Sequence, residues 1–220
     1  MVWLMVWYVF CLGLAVGLTL LMMTAYLRVS PRWLSRLLLV SGVFVASRYV
    51  AMVVFAFNQA PQPLWLWSRC WFATAVGLTF PGAVALDQLV RHPAMTPKKL
   101  LRWCAPFLVA YMAALVGGRM ALVPDPFFGV RPHLIGWARP LLAMTQSAFV
   151  LLFLWIGAQL LRKVPASSVR FAVALLMLSY GTLALCHGVS ARQAQLFLFP
   201  EMLTMLALWC AFDIAQRQTS

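Results

Sequence analysis

The sequence has 220 residues, of which 64% are hydrophobic and only 10% are charged, and its mean hydropathy is +0.90. So little polar surface excludes a soluble globular protein of this size and indicates an integral membrane protein. The net charge of +13 would favour nucleic-acid binding in a soluble domain, but here the cations lie between hydrophobic segments, so we expect no nucleic-acid partner.

Seven apolar segments are long enough to cross a bilayer as helices, which requires roughly 20 residues each. Short breaks rich in proline, charge or small polar residues separate them, so consecutive helices should be antiparallel neighbours. The first segment lacks the basic start and cleavage pattern of a signal peptide, and we expect it to be a retained helix. The predicted fold is an all-α integral membrane protein, a single seven-helix bundle over residues 1–220, with helices at about 2–27, 36–57, 65–90, 102–123, 137–161, 169–189 and 196–216.

Basic residues give the predicted bundle an orientation. Eleven of the 17 lysines and arginines lie in alternate connections or after the last helix: Arg28, Arg32, Arg36, Arg91, Lys98, Lys99, Arg102, Arg162, Lys163, Arg170 and Arg217. The positive-inside rule places that side in the cytoplasm. We therefore expect an outside N-terminus, a cytoplasmic C-terminus, outward connections at 58–64, 124–136 and 190–195, and a bacterial inner (plasma) membrane location.

A single arginine, Arg48, lies near the centre of the apolar run SGVFVASRYVAMVVFAF at residues 41–57. It is about nine residues from the outer end of its helix, hence ~14 Å deep, so it should face the bundle interior and have a partner. The predicted partner is Glu201, the only acidic residue expected in the outer half of any helix. Two interpretations stay open: a buried ion pair that fixes helix packing, or part of a ligand or ion site.

Further candidate ligand-binding residues gather near the outer helix ends. Each arginine alone is explained by a side chain reaching the interface, but together they predict an outward, net-positive cavity for an anionic ligand or lipid headgroup. His187 could bind the ligand or sense pH, although a simple interfacial hydrogen bond is the alternative. The candidates are Arg48, Arg69, Arg119, Arg139, Glu201 and His187, with Arg131 and Arg192 in the outer connections.

Two residue spacings concern assembly. Gly13 and Gly17 form a GxxxG pattern that permits close helix approach, either within the bundle or in a homodimer. The five cysteines form no C-x-x-C pair, which argues against a thiol oxidoreductase and structural zinc. Cys70 and Cys186 are both expected near outer helix ends, so a disulfide bond between them stays open.

Several kinds of chemistry lack the residues they need. No lysine lies in a predicted helix, which excludes a retinal Schiff base, and no histidine pair is positioned for haem. Paired carboxylates, H-E-x-x-H, G-x-S-x-G and Gly-rich phosphate loops are also missing from the sequence. We therefore expect a non-enzymatic protein with no cofactor and no metal.

The order of segments resembles the seven-helix N-terminal sensor region of some bacterial membrane histidine kinases. The stretches that carry the resemblance are WSRCWFATAVGLTFPGAVALDQLVRH, with its aromatic start and internal proline, and the exit helix LFLFPEMLTMLALWCAFDIAQRQ. In that family the last helix leads into cytoplasmic signalling domains. Because this sequence stops at Ser220, the resemblance implies a separate signalling partner, contacted through the cytoplasmic loops.

The function predicted first is a receptor-like or accessory subunit with an outward, arginine-lined pocket. The second is a small transporter or channel, in which Arg48 and Glu201 gate an anion or proton path. The third is a structural subunit, whose buried charges pair across an interface with another membrane protein.

Overall fold

The computed structural model describes residues 2–57, 65–91, 95–125, 129–189 and 194–218. These residues form eight α-helices and one two-stranded antiparallel sheet. In chain order the elements are α1 (Val2–Leu27), α2 (Arg32–Phe57), α3 (Trp65–Cys70), α4 (Ala73–Val90), α5 (Pro97–Gly117), β1 (Arg119–Asp125), β2 (Gly129–Ile135), α6 (Ala138–Lys163), α7 (Ser167–Val189) and α8 (Ala194–Arg217).

The described residues contain seven spans long and apolar enough to cross a membrane, which confirms the predicted number. Their mean hydropathies range from 1.3 to 2.2. Six are single helices, and the span Leu66–Val90 combines α3 and α4. Lengths of 20 to 26 residues match the thickness of a bilayer core.

The helices pack in chain order and close on themselves. Each long helix contacts the next along the chain, and α8 packs on α1. Helix α4 also contacts α6, α7 and α8, which places it at the centre of the bundle. In the most apolar part of each span, 72% of residues are buried for the α3–α4 span and 61% for α8, against 22% for α6. The polar residues that can be shielded from lipid are therefore those on α4, α8 and their neighbours.

Tyr180 of α7 forms a hydrogen bond to α4 inside this core. Tyr180 is almost fully buried, with its ring centroid 4.4 Å from that of Phe153, and its hydroxyl donates to the Leu78 carbonyl. Gly82 makes the contact possible, because a Cβ there would lie 2.6 Å from Cζ of Tyr180. This glycine is required by the close approach of the two helices.

The two ends of the bundle differ in character. At one end Arg91 donates from Nη2 to the Ala215 carbonyl at 3.1 Å, and Gln216 donates from Nε2 to the Ala25 carbonyl at 3.0 Å. These bonds bring together the C-terminal ends of α1, α4 and α8, as the predicted antiparallel order requires. We name this the basic end, and the opposite end, which carries β1 and β2, the hairpin end.

The predicted fourth helix, 102–123, is wrong at both limits. Helix α5 begins at Pro97, because Thr96 caps it by accepting a hydrogen bond from the Lys99 amide at 3.3 Å. It ends at Gly117, because Gly118 has an extended backbone. Residues 119–125 then form β1, which pairs with β2 from Arg119 opposite Ile135 to Asp125 opposite Gly129. The connection predicted at 124–136 is thus largely the second half of a hairpin.

The predicted helix at 65–90 is interrupted. Trp71 and Phe72 form a turn between α3 and α4, with Phe72 at φ −101° and ψ 8°. No proline or glycine marks the break in the sequence. The predicted start of the second helix at 36 is also late, because α2 begins at Arg32 directly after Pro31.

Candidate functional site

The predicted contact between Arg48 and Glu201 is present and joins α2 to α8. Nη2 of Arg48 lies 2.9 Å from Oε1 of Glu201, and Nε donates to Oε2 at 3.1 Å. The side chains are 7% and 0% exposed, respectively. Two parallel N–H to oxygen contacts give the strong, orientation-specific form of an arginine–carboxylate pair. The Arg48 charge is therefore compensated within the chain, toward the hairpin end of the bundle.

The turn between α3 and α4 supplies a third acceptor for Arg48. In a continuous helix the Ala75 amide would donate to the Trp71 carbonyl, but here it donates to the Phe72 carbonyl at 3.1 Å. The Trp71 carbonyl instead accepts from Nη1 of Arg48. The guanidinium carbon also lies 5.7 Å from the centroid of the Trp71 ring, within cation–π range. The helix break thus provides a backbone ligand for a buried cation.

Two neutral side chains complete the coordination of Glu201. The Tyr49 hydroxyl donates to Oε2 at 3.1 Å, and the Thr74 hydroxyl donates to Oε1 at 3.4 Å. With the two contacts from Arg48, each carboxylate oxygen accepts two donors. Such saturation satisfies both oxygens of a carboxylate that is 0% exposed. It also fixes its orientation from two other helices, α2 and α4.

A small cavity with both polar and apolar walls adjoins this network at Arg48 and Thr74. Its volume is about 120 Å³, and its polar lining comes from Arg48, Thr74, Arg131 and Gln146. The apolar part of the wall is formed by Trp71, Phe72, Ala75, Leu142 and Leu183. Glu201 is not part of the wall, so the lining described by the structure contains two arginines and no carboxylate.

The hairpin contributes Arg131 to the lining of this cavity. Strand β2 packs against α2 and α6, which brings Arg131 to the same cavity as Arg48. Arg131 is half-buried, unlike the exposed Arg119 at the start of β1. The pairing of Val123 with Arg131 and of Leu122 with Pro132 sets the position of Arg131 along the strand.

The remaining arginine candidates do not line this cavity. Arg69 donates from Nη1 to the Leu115 carbonyl near the end of α5, so it links α3 to α5. Arg119 and Arg139 are exposed, whereas Arg69 is half-buried. None of the three lines the cavity. The predicted convergence of Arg69, Arg119 and Arg139 with Arg48 on one pocket is therefore corrected: the hairpin brings Arg131 there instead.

The other predicted residues lie either outside the described part of the structure or away from the cavity. The His187 side chain and Arg192 lie outside the described residues, so their predicted roles stay predictions. Gly13 and Gly17 lie on an exposed face of α1, where an added Cβ would meet nothing within 4 Å. Cys70 and Cys186 are free thiols in the structure.

Sequence reasoning missed four parts of the site. Tyr49 follows Arg48 directly, and such neighbours on a helix normally point in different directions. Thr74 and Gln146 are common helix-surface polar residues with no distinguishing pattern. The Trp71 carbonyl is a backbone group, freed by a turn that no residue type announces. Arg131 was not missed, because it had a signal: it is a basic residue in an outward connection, where the positive-inside rule disfavours one.

Comparison with protein-family models, with curated proteins and with solved structures finds no match to this chain. The resemblance to sensor regions of histidine kinases stays a prediction that rests on the order and character of the segments.

Proposed function

We propose that the chain is a non-enzymatic, multi-pass membrane protein of the receptor-like or accessory type that binds a small anion in the cavity at the hairpin end. One observation carries the proposal: Arg48, Arg131, Thr74 and Gln146 line a single cavity whose described wall contains no carboxylate. Guanidinium groups offer paired N–H donors that match carboxylate or phosphate oxygens. A volume of about 120 Å³ fits a small carboxylate or a phosphate.

Glu201 lowers the free-energy cost of placing Arg48 beside a cavity inside an apolar bundle. It offsets the arginine charge, which would otherwise cost ~2.5 to 3.5 kcal/mol at the centre of a spanning helix. Arginine carries five N–H groups, and three of those of Arg48 have protein acceptors among the described residues. Arg48, which lines the cavity, thus keeps two N–H groups with no protein acceptor among the contacts described.

The transporter alternative has less support. A proton or anion path through the pair would require Glu201 to exchange partners, yet its side chain is 0% exposed and accepts from Arg48, Tyr49 and Thr74. The structural-subunit alternative assumed that the charges pair with another protein. Pairing within the chain removes that reason for it.

The proposal includes an orientation and a location. The positive-inside rule puts the basic end in the cytoplasm, so the cavity opens to the outside of a bacterial inner membrane. A receptor or accessory role further implies a signalling or membrane partner at the basic end. The exposed Gly13 and Gly17 keep a homodimer through α1 among the proposed assemblies.

The test is ligand-dependent stabilisation of the purified protein by a panel of small carboxylates and phosphates. A ligand at 100 times its Kd should stabilise the folded state by about 2.7 kcal/mol, measured as a shift in Tm. Arg131→Gln should abolish the shift. Arg119→Gln is the matched control, since it removes an exposed arginine from the same hairpin and should leave the shift unchanged. Equal shifts in both variants, or none from any anion with the wild type, would refute the proposal.

A further inference from the structure

A second and larger cavity lies at the opposite end of the bundle. It is a groove of about 440 Å³ between α5 and α6, with α4 as its third wall. Its walls are mainly apolar and include Leu86 of α4, Trp103 and Phe107 of α5, and Ile156 and Leu160 of α6. Because α5 begins and α6 ends at the basic end, this apolar groove occupies the basic half of the two helices.

The apolar groove faces the space that lipid occupies around the bundle. Trp103 and Trp155 line it and are 69% and 64% exposed, respectively. At its inner end the rings of Phe107 and Phe149 meet edge to face, with centroids 5.6 Å apart. An apolar recess within spanning segments, open at the side and closed at its inner end, has the shape to hold an acyl chain.

Lysines extend both side walls of the apolar groove toward the basic end. Lys163 lies three residues after Leu160 and seven after Ile156, so it continues their face of α6. Lys99 lies four residues before Trp103 and continues that row on α5. Both lysines are exposed. The apolar walls therefore end in cations at the depth where a phosphate headgroup would lie.

We propose that the apolar groove is a binding site for an anionic phospholipid, with an acyl chain between α5 and α6 and its phosphate at Lys99 and Lys163. The described lining of the apolar groove contains one acidic residue, Asp87, whose negative charge opposes those of the lysines. Two lysines at the end of the apolar groove and Arg162 beside one of them leave that end positive, which selects anionic over zwitterionic lipid. This site is independent of the anion cavity at the hairpin end.

The test is native mass spectrometry of the full chain, titrated with phosphatidylglycerol or with phosphatidylcholine of the same acyl chains. One phosphatidylglycerol should bind in preference. Replacing both lysines, Lys99→Gln with Lys163→Gln, should weaken its binding roughly 30-fold, from about fivefold per lysine. The matched control is Lys98→Gln with Arg102→Gln, which removes two cations from the same end but from positions out of register with the α5 lining. It should change affinity by less than about threefold.

A second perturbation tests the apolar part of the site. Ala83→Phe places a ring in the apolar groove and should block lipid binding, and Leu152→Trp does the same from a residue that is 40% exposed, where folding is tolerant. Equal loss in the two double variants, Lys99→Gln with Lys163→Gln and Lys98→Gln with Arg102→Gln, would reduce the effect to general surface charge and overturn the proposal. So would full binding in both filled variants. A dimer disrupted by filling, with lipid binding unchanged, would assign the apolar groove to a second copy of the chain and also overturn it.

Discussion

Removing the Glu201 side chain is the most informative perturbation of the bundle. Glu201→Ala leaves Arg48 with the Trp71 carbonyl as its remaining acceptor among the contacts described, and it takes the shared acceptor from Tyr49 and Thr74. Breaking a buried ion pair costs about 3 to 5 kcal/mol, because the surviving charge is left uncompensated. The 0% exposure of Glu201 puts the expected loss within that range.

The assay is equilibrium unfolding in mixed micelles, with the free energy of unfolding compared between variants. A matched control is available at the surface, where Asp213 pairs with Arg217 at 2.8 Å but the two side chains are 27% and 78% exposed. Asp213→Ala should cost less than about 1 kcal/mol, because exposed pairs are screened by water. A loss below about 1 kcal/mol for Glu201→Ala as well would refute the claim that burial leaves the Arg48 charge uncompensated without Glu201.

The double variant Arg48→Met with Glu201→Leu separates charge from packing. It removes both ions and should recover much of the loss, since apolar replacements of a buried pair are often neutral or stabilising. Recovery should remain incomplete by about 1 to 3 kcal/mol, because the Thr74 hydroxyl loses its acceptor and the Tyr49 hydroxyl keeps only a weak one, Sδ of Met205 at 3.9 Å. If the double variant is stable and no longer responds to anions, the pair belongs to the binding site; if it responds normally, the pair only fixes helix packing.

Three further predictions concern packing, an orphan hydroxyl and orientation. Gly82→Ala should destabilise the bundle by about 1 to 3 kcal/mol in the same unfolding assay, because the new methyl overlaps the buried Tyr180 ring; wild-type stability would contradict the close approach. Tyr26→Phe should be neutral or stabilising by up to about 1 kcal/mol, since the Tyr26 hydroxyl is buried with no hydrogen-bond partner among the described residues; a clear loss would reveal a partner such as water. Reporter tags at residue 1 and near Asp125 should be periplasmic and tags near Thr96 and after residue 220 cytoplasmic, and a cytoplasmic N-terminal tag would reverse the orientation.

The number of spans and the inner ion pair could be predicted from the sequence because each follows from a large energy. Long apolar runs must be helical in lipid, and a deep arginine must find an acid when Glu201 alone is available at that level. The free-energy cost of an unpaired charge in an apolar helix does not depend on the details of the local backbone. Both predictions survive errors of several residues in the helix limits.

The set of residues that lines the cavity could not be predicted because it depends on local backbone geometry. A turn at residues 71–72 frees one carbonyl, and the packing of β2 on α2 and α6 decides that Arg131, rather than Arg119 on β1, lines the cavity with Arg48. Neither feature has a residue signature, and Pro124 and Pro132 even argue against strands. A two-stranded ribbon tolerates them because each strand has a free edge.

The distance along the chain between the partners of Arg48 has a consequence for biosynthesis. Glu201 is 153 residues later in the sequence, whereas the Trp71 carbonyl is only 23 residues later. At about 5 to 20 residues per second, the acid emerges on the order of 10 to 30 s after the arginine. We therefore expect α2 to enter the membrane before its cation is neutralised. The Trp71 carbonyl is synthesised before Glu201, so it can accept a hydrogen bond from the guanidinium until α8 is inserted. Insertion of α8 then neutralises the charge that α2 introduced.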